Sequence, residues 1–361
     1  MSENITADRG ITIGLDLGDK HTQCCSLDDS GEVEESFRVR STGPALSKRF
    51  GHIVPCRIVL EVGTHSPWVS RLLSKLGHEV IVANPRRVRL ISTNDSKNDV
   101  VDAELLARLG RADPKLLSPI THRGQEAQKD LVLLRNRDGF VRSRTQLINQ
   151  ARGFAKSLGD RLPSSSSVSF PKRVREAKKE AIFPGLETLL QLIETLTAAI
   201  SDMDREIERL CRDRYPETRL LRQIKGVGPL TALCFLLTLE DPHRFKKSRS
   251  VGAYLGLRPK QRDSGQQQPQ LRITKSGDEM LRRYLVNGSQ YILGPFGPDT
   301  HLRQVGLRLA ERGGRAAKKR AIIAVARRLA VLLHRLWVTG EEYQPLGYGF
   351  ADPKASQFIA A

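Results

Sequence analysis

The apolar positions of the first 120 residues come in short extended runs parted by turn residues. ITIGLDLG (11–18), QCCSLDD (23–29) and EESFRVR (34–40) are separated by Gly, Asp and Ser, the punctuation of successive strands. PALSKRF (44–50) reads as a helix and CRIVLEVG (56–63) as a continuous apolar strand. SPWVSRLLSKLG (66–77) predicts a helix with Ser66 as N-cap, Pro67 in the first turn and Gly77 closing it. HEVIVANP (78–85) is a further strand ended by Pro85, and SKNDVVDAELLARL (96–109) a further helix.

Three strands, then helix, strand, helix, strand, helix is the element order of the α/β ribonuclease H-like fold. That order makes the first and fourth strands neighbours, with the last helix crossing their ends. From 122 to 215 the period changes to helical. Leu189, Ile193, Leu196, Ile200, Met203, Ile207 and Leu210 recur in steps of four and three, a coiled-coil seam. A preceding long helix carries a thinner stripe, Leu134, Val141 and Ile148, among many arginines. LPSSSSVSFPKR (162–173) between them reads as a loop. The seam closes either an intramolecular hairpin or a contact with another subunit. Beyond 216, LLRQIKGVGPLTALCFLLTL (220–239) is helix, GxG hairpin, helix. A Gly/Gln-rich loop then leads to a helix starting near Gly277 or Asp278, and a basic helix spans 315–337. The expected division is 1–121, 122–215, 216–345 and a loosely ordered tail, 346–361.

Charge adds a partner to this organisation. The net charge is +19, yet residues 1–120 hold 16 basic and 16 acidic side chains, so the whole excess follows residue 120. A balanced front and a strongly basic back point to a reaction centre joined to a nucleic-acid grip. The five cysteines form no CxxC pair, which argues against a zinc ribbon and against a secreted disulfide framework. No apolar run approaches the ~18 residues of a membrane span. A cytoplasmic protein with no membrane partner is expected.

Asp99 and Asp102, three positions apart, share a helix face. Asp16 lies inside the first strand and Glu61 ends the fourth, among apolar neighbours that disfavour an ionised carboxylate without a countercharge. In the proposed strand order all four converge. Hard oxygen donors without His or Cys suit Mg²⁺, with Mn²⁺ the alternative. Two such ions about 4 Å apart activate an attacking oxygen and stabilise a leaving oxygen at phosphorus. Taken singly, each residue has a plainer role: Asp16 in a turn, Glu61 in an ion pair, Asp99 as N-cap, Asp102 as a helix-dipole charge. Together, in this element order, they favour a metal site.

GLDLGDKHT, VLEVGTHSPW and SKNDVVDAELLARL, followed by the GVGP hairpin, YLGLRPKQRDSG and RITKSGDEMLRRYL, resemble the IS110/IS1111-type insertion-sequence transposases over residues 11 to about 335. The resemblance implies a RuvC-like DEDD domain, a coiled coil and a mostly α C-terminal transposase domain with a helix-hairpin-helix and a catalytic serine. It further implies donor and target DNA as substrates, a structured bridge RNA as guide, and a homo-oligomer, dimer or tetramer, joining both catalytic parts in one composite site. In a prokaryotic cell such a protein is nucleoid-associated when active. The DEDD set falls on Asp16, Glu61, Asp99 and Asp102, and the serine on Ser264. Family members often carry Ser-Ser-Gly-Gly there, whereas this chain has RDSGQQQ. Ser276 is the runner-up, although it also suits the cap of the next helix.

A serine hydroxyl attacking a phosphodiester keeps the bond energy in a protein-phosphate ester, whereas hydrolysis discards it. Arg258, Lys260 and Arg262 are candidate phosphate clamps beside the serine. KGVGP (225–229) places Lys225, Gly226 and Gly228 where backbone N–H groups at a helix start face a phosphate, or, more plainly, in a tight turn between packed helices. Lys275, Arg282 and Arg283, with Lys318 and Lys319 on the last helix, complete the basic set, while Ile322, Val325, Leu329 and Leu332 form that helix's core face. Aromatic content of 5% makes base stacking a minor theme, leaving sequence choice to RNA pairing. Two rival readings are a junction-type nuclease using water in place of Ser264 and a non-enzymatic nucleic-acid scaffold.

Overall fold

The computed structural model describes residues 10–86, 88, 98–177, 183–262, 269 and 271–347. The chain divides into two compact units, 1–123 and 124–361.

In the first unit the apolar runs become β1 (Thr12–Leu17), β2 (His21–Leu27), β3 (Val33–Arg40), β4 (Arg57–Glu61) and β5 (Glu79–Ala83). Helices α1 (Gly43–Phe50), α2 (Ser66–Lys75) and α3 (Asp99–Ala112) accompany them. The mixed sheet has the order β3-β2-β1-β4-β5. β1 is antiparallel to β2 and parallel to β4, and β4 is parallel to β5. This is the order expected of a ribonuclease H-like sheet.

Side chains alternate across a strand, and this decides which helices cover which face. Ile13, Leu15, Ile58 and Leu60 pack with Leu46, Phe50, Val69 and Leu73 of α1 and α2. On the opposite face Cys25 and Leu27 pack against Ala103 and Ala107, and Val59 against Leu106. Gly14 lies beneath α3, where a Cβ would stand 2.0 Å from the carbonyl oxygen of Ala103 and 2.6 Å from the amide of Ala107. Only glycine lets the α3 backbone come this close to the sheet.

Two capping expectations are corrected. α2 begins at Ser66 with His65 in the N-cap position, and the Ser66 hydroxyl instead bonds Gly63, donating to its carbonyl at 2.8 Å. Gly77 closes the helix as expected, at φ +95°. α3 is capped by Asn98, whose side chain accepts from the Val100 amide at 3.0 Å, so the capping role is not taken by Asp99.

The second unit is helical: α4 (Gln125–Ser157), α5 (Phe170–Ala177), α6 (Leu186–Asp213), α7 (Thr218–Leu221), α8 (Pro229–Leu239), α9 (Arg249–Tyr254), α10 (Glu279–Leu293), α11 (His301–Ala310) and α12 (Gly314–Thr339). α4 and α6 pair within the chain, with Ile193, Ile200 and Ile207 buried. The other half of the seam, Leu189, Leu196, Met203 and Leu210, is half-buried. Part of the segment expected to be loop is the helix α5, because Phe170 and Val174 join a core with Ile148, Leu190 and Ile193. The inner ends of α4 and α6 share one core with the C-terminal helices: Leu131, Leu134, Ile207 and Cys211 pack with Leu233, Phe235, Leu285 and Leu329. In the last helix Val325, Leu329 and Leu332 are buried and Ile322 half-buried. Just ahead of the tail the Tyr343 amide donates to the Gln223 side chain; residues 348–361 lie outside the described residues.

Candidate active site

The first unit gathers carboxylates by topology. β1 and β4 run parallel in register, Gly14 beside Val59 and Leu15 beside Leu60. One step further along each strand stand Asp16 and Glu61. Asp16 is two residues from Gly14, and Glu61 two from Val59, so both belong to the face covered by α3. α3 runs back along that face: Ala103 lies over Gly14, and the Gly110 carbonyl accepts from Arg57 Nη1 at 3.1 Å near the start of β4. Its first turn, with Asp99 and Asp102, therefore overhangs the C-terminal ends of β1 and β4, where Asp16 and Glu61 stand.

Asp16, Glu61 and Asp102 are half-buried and Asp99 is exposed, a wetter corner than the apolar flanks of the strands predict. Asp16 pairs with Gln23 inside the ladder and is no turn residue. Asp99 and Asp102 sit in the first turn of α3, where the helix dipole favours negative charge. Among the described residues neither has an ion-pair partner. The donor set is all carboxylate, which matches a hard divalent cation. As the side chains stand, no three His, Cys, Asp or Glu among the described residues lie close enough to hold a metal ion. The four share a corner without closing on one point, and an ion seated there would have to draw them in.

Sequence reading passed over three neighbours of this corner. Asp19 follows β1 and His65 follows β4, with His65 Nε2 3.5 Å from Asp19 Oδ1. Trp68 Nε1–H donates to His65 Nδ1 at 3.0 Å, which leaves Nε2 as the protonated nitrogen facing the carboxylate. Their trace in the sequence is the run THSPW (64–68), which starts three positions after the β4 carboxylate Glu61.

In the helical unit the expected residues divide. Ser264 lies outside the described residues. The chain on either side of it is held as two short antiparallel arms: Lys260 N–H donates to Arg272 O and Thr274 N–H to Arg258 O, both at 2.9 Å, with a bridge between Pro259 and Ile273. Arg258, Lys260, Arg262 and Lys275 are exposed on these arms, and Lys318 and Lys319 on α12. Arg282 corrects the expectation. It is buried, and its Nη1 donates to the carbonyls of Leu255 and Ser276 at 3.1 and 2.7 Å, so it ties α10 to the preceding turn and offers no surface to nucleic acid. Arg283 donates to Asp138 at 2.8 Å. Ser276 does not cap α10; Asp278 does, accepting from the Leu281 amide, and the Ser276 hydroxyl meets that of Thr274. Lys225 and Gly228 are exposed on the GVG turn, and no side chain caps the first turn of α8.

A transposase family model of the DEDD, IS110 type matches residues 13–158, and the "Transposase IS116/IS110/IS902 family" matches residues 218–301. The chain is 28% identical over 345 residues to the transposase for insertion sequence element IS1111A of Coxiella burnetii, covering 92% of this chain and 91% of that protein. It is 30% identical over 279 residues to the transposase for insertion sequence element IS1328 of Yersinia enterocolitica, covering 76% and 81%.

Proposed function

From the premise that the chain belongs to the IS110/IS1111-type family of insertion-sequence transposases, and so is an enzyme acting as a DNA transposase, we propose a divalent-metal-dependent, serine-type, RNA-guided mechanism. The observation that carries the metal part is the topology of the sheet corner: two parallel strand ends and one overhanging helix turn present Asp16, Glu61, Asp99 and Asp102 on one face of the sheet. A bound Mg²⁺ or Mn²⁺ supplies charge stabilisation at the phosphoryl oxygens.

The chain's own residues do the rest. Asp16 and Glu61 are fixed by the ladder and bring the anchoring charge. Asp99 and Asp102 are fixed by α3, which Gly14 seats against the sheet. Ser264 supplies the nucleophile: its Oγ bonds to phosphorus, the P–O bond to the leaving strand breaks, and that strand departs as a free hydroxyl end carrying the proton. The ester energy then remains available for joining the end of another strand. Arg258, Lys260 and Arg262, exposed on the arm that precedes it in sequence, hold the phosphates. The Lys225–Gly228 turn acts as a helix-hairpin-helix contact to the backbone. None of these groups reads bases in number, which fits the sequence choice by a bridge RNA that the family resemblance implies. The enzyme works as a multimer in which both catalytic parts act on one phosphodiester.

The test is covalent. Purified protein with its element's RNA and DNA, Mg²⁺ added, is denatured and inspected for a protein–DNA adduct. An adduct abolished by Ser264→Ala and by Asp102→Asn supports the mechanism. Normal cutting by Ser264→Ala with no adduct would instead establish a nuclease of the junction type that uses water.

A further inference from the structure

Phe296 stands 85% exposed on the turn between α10 and α11. Lone exposed apolar residues are common and need no explanation; what sets this one apart is how firmly its turn is built. Arg303 Nη1 donates to the carbonyls of Ile292 and Gly294 at 2.6 and 2.5 Å, and the Gly297 amide donates to Gly294 at 3.1 Å. A Cβ at Gly297 would lie 2.1 Å from the Ile292 oxygen, and Pro295 and Pro298 fix the backbone on either side of Phe296. An aromatic ring is thus held outward on a preorganised support, the arrangement that binds without paying an ordering entropy.

Its surroundings indicate the ligand. Five residues back, in the last turn of α10, Tyr291 is 46% exposed, and its ring borders Gly226 of the GVG turn, with Cδ1 3.2 Å from where a Cβ would be. Lys225 and Gly228 are exposed on that turn, ahead of the uncapped start of α8. On the other side His301 opens α11, where burial first, and then the nearby charges of Arg328 and Arg308, hold its pKa below the ordinary value. Asp299 is the acidic neighbour, and it accepts from Gln304. Two aromatic faces set among helix-start amides and cations are the components that hold a single nucleic-acid strand, rings for bases and cations for phosphates.

We propose that Phe296, supported by Tyr291, is a stacking platform for an unpaired base of a nucleic-acid strand gripped by the Lys225–Gly228 turn. Low aromatic content makes stacking a minor theme across the chain, but one rigidly presented ring suffices. The inference rests on the helical unit gripping nucleic acid and is independent of the carboxylate corner.

Full-length wild type, Phe296→Ala and Phe296→Trp are titrated against labelled 12-nucleotide single-stranded DNA, the matching RNA and the DNA duplex, with 2-aminopurine as a stacking reporter. Phe296→Ala should weaken single-strand binding about 5- to 100-fold, the worth of one base–aromatic stack. Phe296→Trp should restore it, and duplex affinity should change less than about twofold, because no phosphate contact is lost. Quenching of 2-aminopurine should follow the ring. The preferred strand, DNA or RNA, tells which source supplies the base. Unchanged single-strand affinity in Phe296→Ala overturns the proposal. So does an equal loss on duplex, or a change of sedimentation with binding intact, which would make the ring a protein contact. Wild type that binds no strand at all defeats both this inference and the nucleic-acid grip, whereas wild-type binding with an indifferent Phe296→Ala defeats this inference alone.

Discussion

Two groups of carboxylates, one in each unit, differ in how they are partnered. In the helical unit, the buried acids Asp130 and Asp138 and the half-buried Asp204 are matched with cations. Asp130 accepts from Arg214 at 2.8 Å and from the Tyr215 hydroxyl at 2.6 Å; Asp138 accepts from Arg283 at 2.8 Å; Asp204 accepts from Arg137 at 2.8 Å. In the sheet unit, four acids share one corner, and Asp99 and Asp102 have no ion-pair partner among the described residues. A protein built mainly for stability follows the first pattern, because an unmatched buried charge is costly. The second pattern leaves negative charge for something brought from outside. The comparison therefore separates acids paired with cations inside the fold from Asp99 and Asp102, whose charge is left for the cation proposed above.

That separation makes distinct predictions. Asp102→Asn should lower metal-dependent strand cleavage by roughly 100-fold, the scale of losing one electrostatic stabiliser of a transition state. Its urea midpoint should stay level or rise, since like charges are relieved. A large loss of stability would place Asp102 with the structural acids. Asp130→Ala should do the reverse, costing about 2 kcal/mol in chemical denaturation by leaving Arg214 and the Tyr215 hydroxyl without their partner. Cleavage per folded molecule should be unchanged.

A smaller effect comes from His334, buried against Ser248 and the Pro242 carbonyl, which accepts from Nε2 at 2.8 Å. Burial holds its pKa below the ordinary value. The unfolded chain therefore takes the proton first: the His334 contribution is full above about pH 6.5 and falls as pH drops toward the folded value, by at most about 1.4 kcal/mol per pH unit. Urea midpoints at pH 7.5 and 5.5 should differ less in His334→Gln than in wild type; an identical difference would remove His334 from the account. Least of all, Arg205→Ala, which breaks an exposed pair with Asp202 on α6, should change stability by less than about 0.5 kcal/mol.

How far the residues spoke before the fold was known depends on the kind of order involved. The strand sequence, the β1–β4 adjacency and the crossing of α3 were legible because strand periodicity and short connections leave few arrangements. The choice of cap was not. Asn98 and Asp99 are neighbours with nearly equal capping power, and α3 fixes which one serves by the register in which Ala103 meets Gly14. Arg282 read as part of a basic run, yet it falls on the inward side of α10 with Leu285 and Ser289, where only the bonds to Leu255 and Ser276 make a guanidinium tolerable. The THSPW run carried a His–Trp pair that no spacing rule flags, since its meaning depends on Asp19, brought from the end of another strand. Helix α5 was hidden by a serine-rich approach, and burial of Phe170 and Val174 overrides that local preference.

Manganese titration followed by electron paramagnetic resonance tests the central claim most directly, because free Mn²⁺ gives a sharp signal that binding suppresses. With full-length protein and a DNA oligonucleotide, wild type should suppress the signal at low Mn²⁺, and Asp16→Asn and Asp102→Asn should each leave most of it free. Equal suppression by all three proteins would contradict the reading of Asp16, Glu61, Asp99 and Asp102 as a cation site.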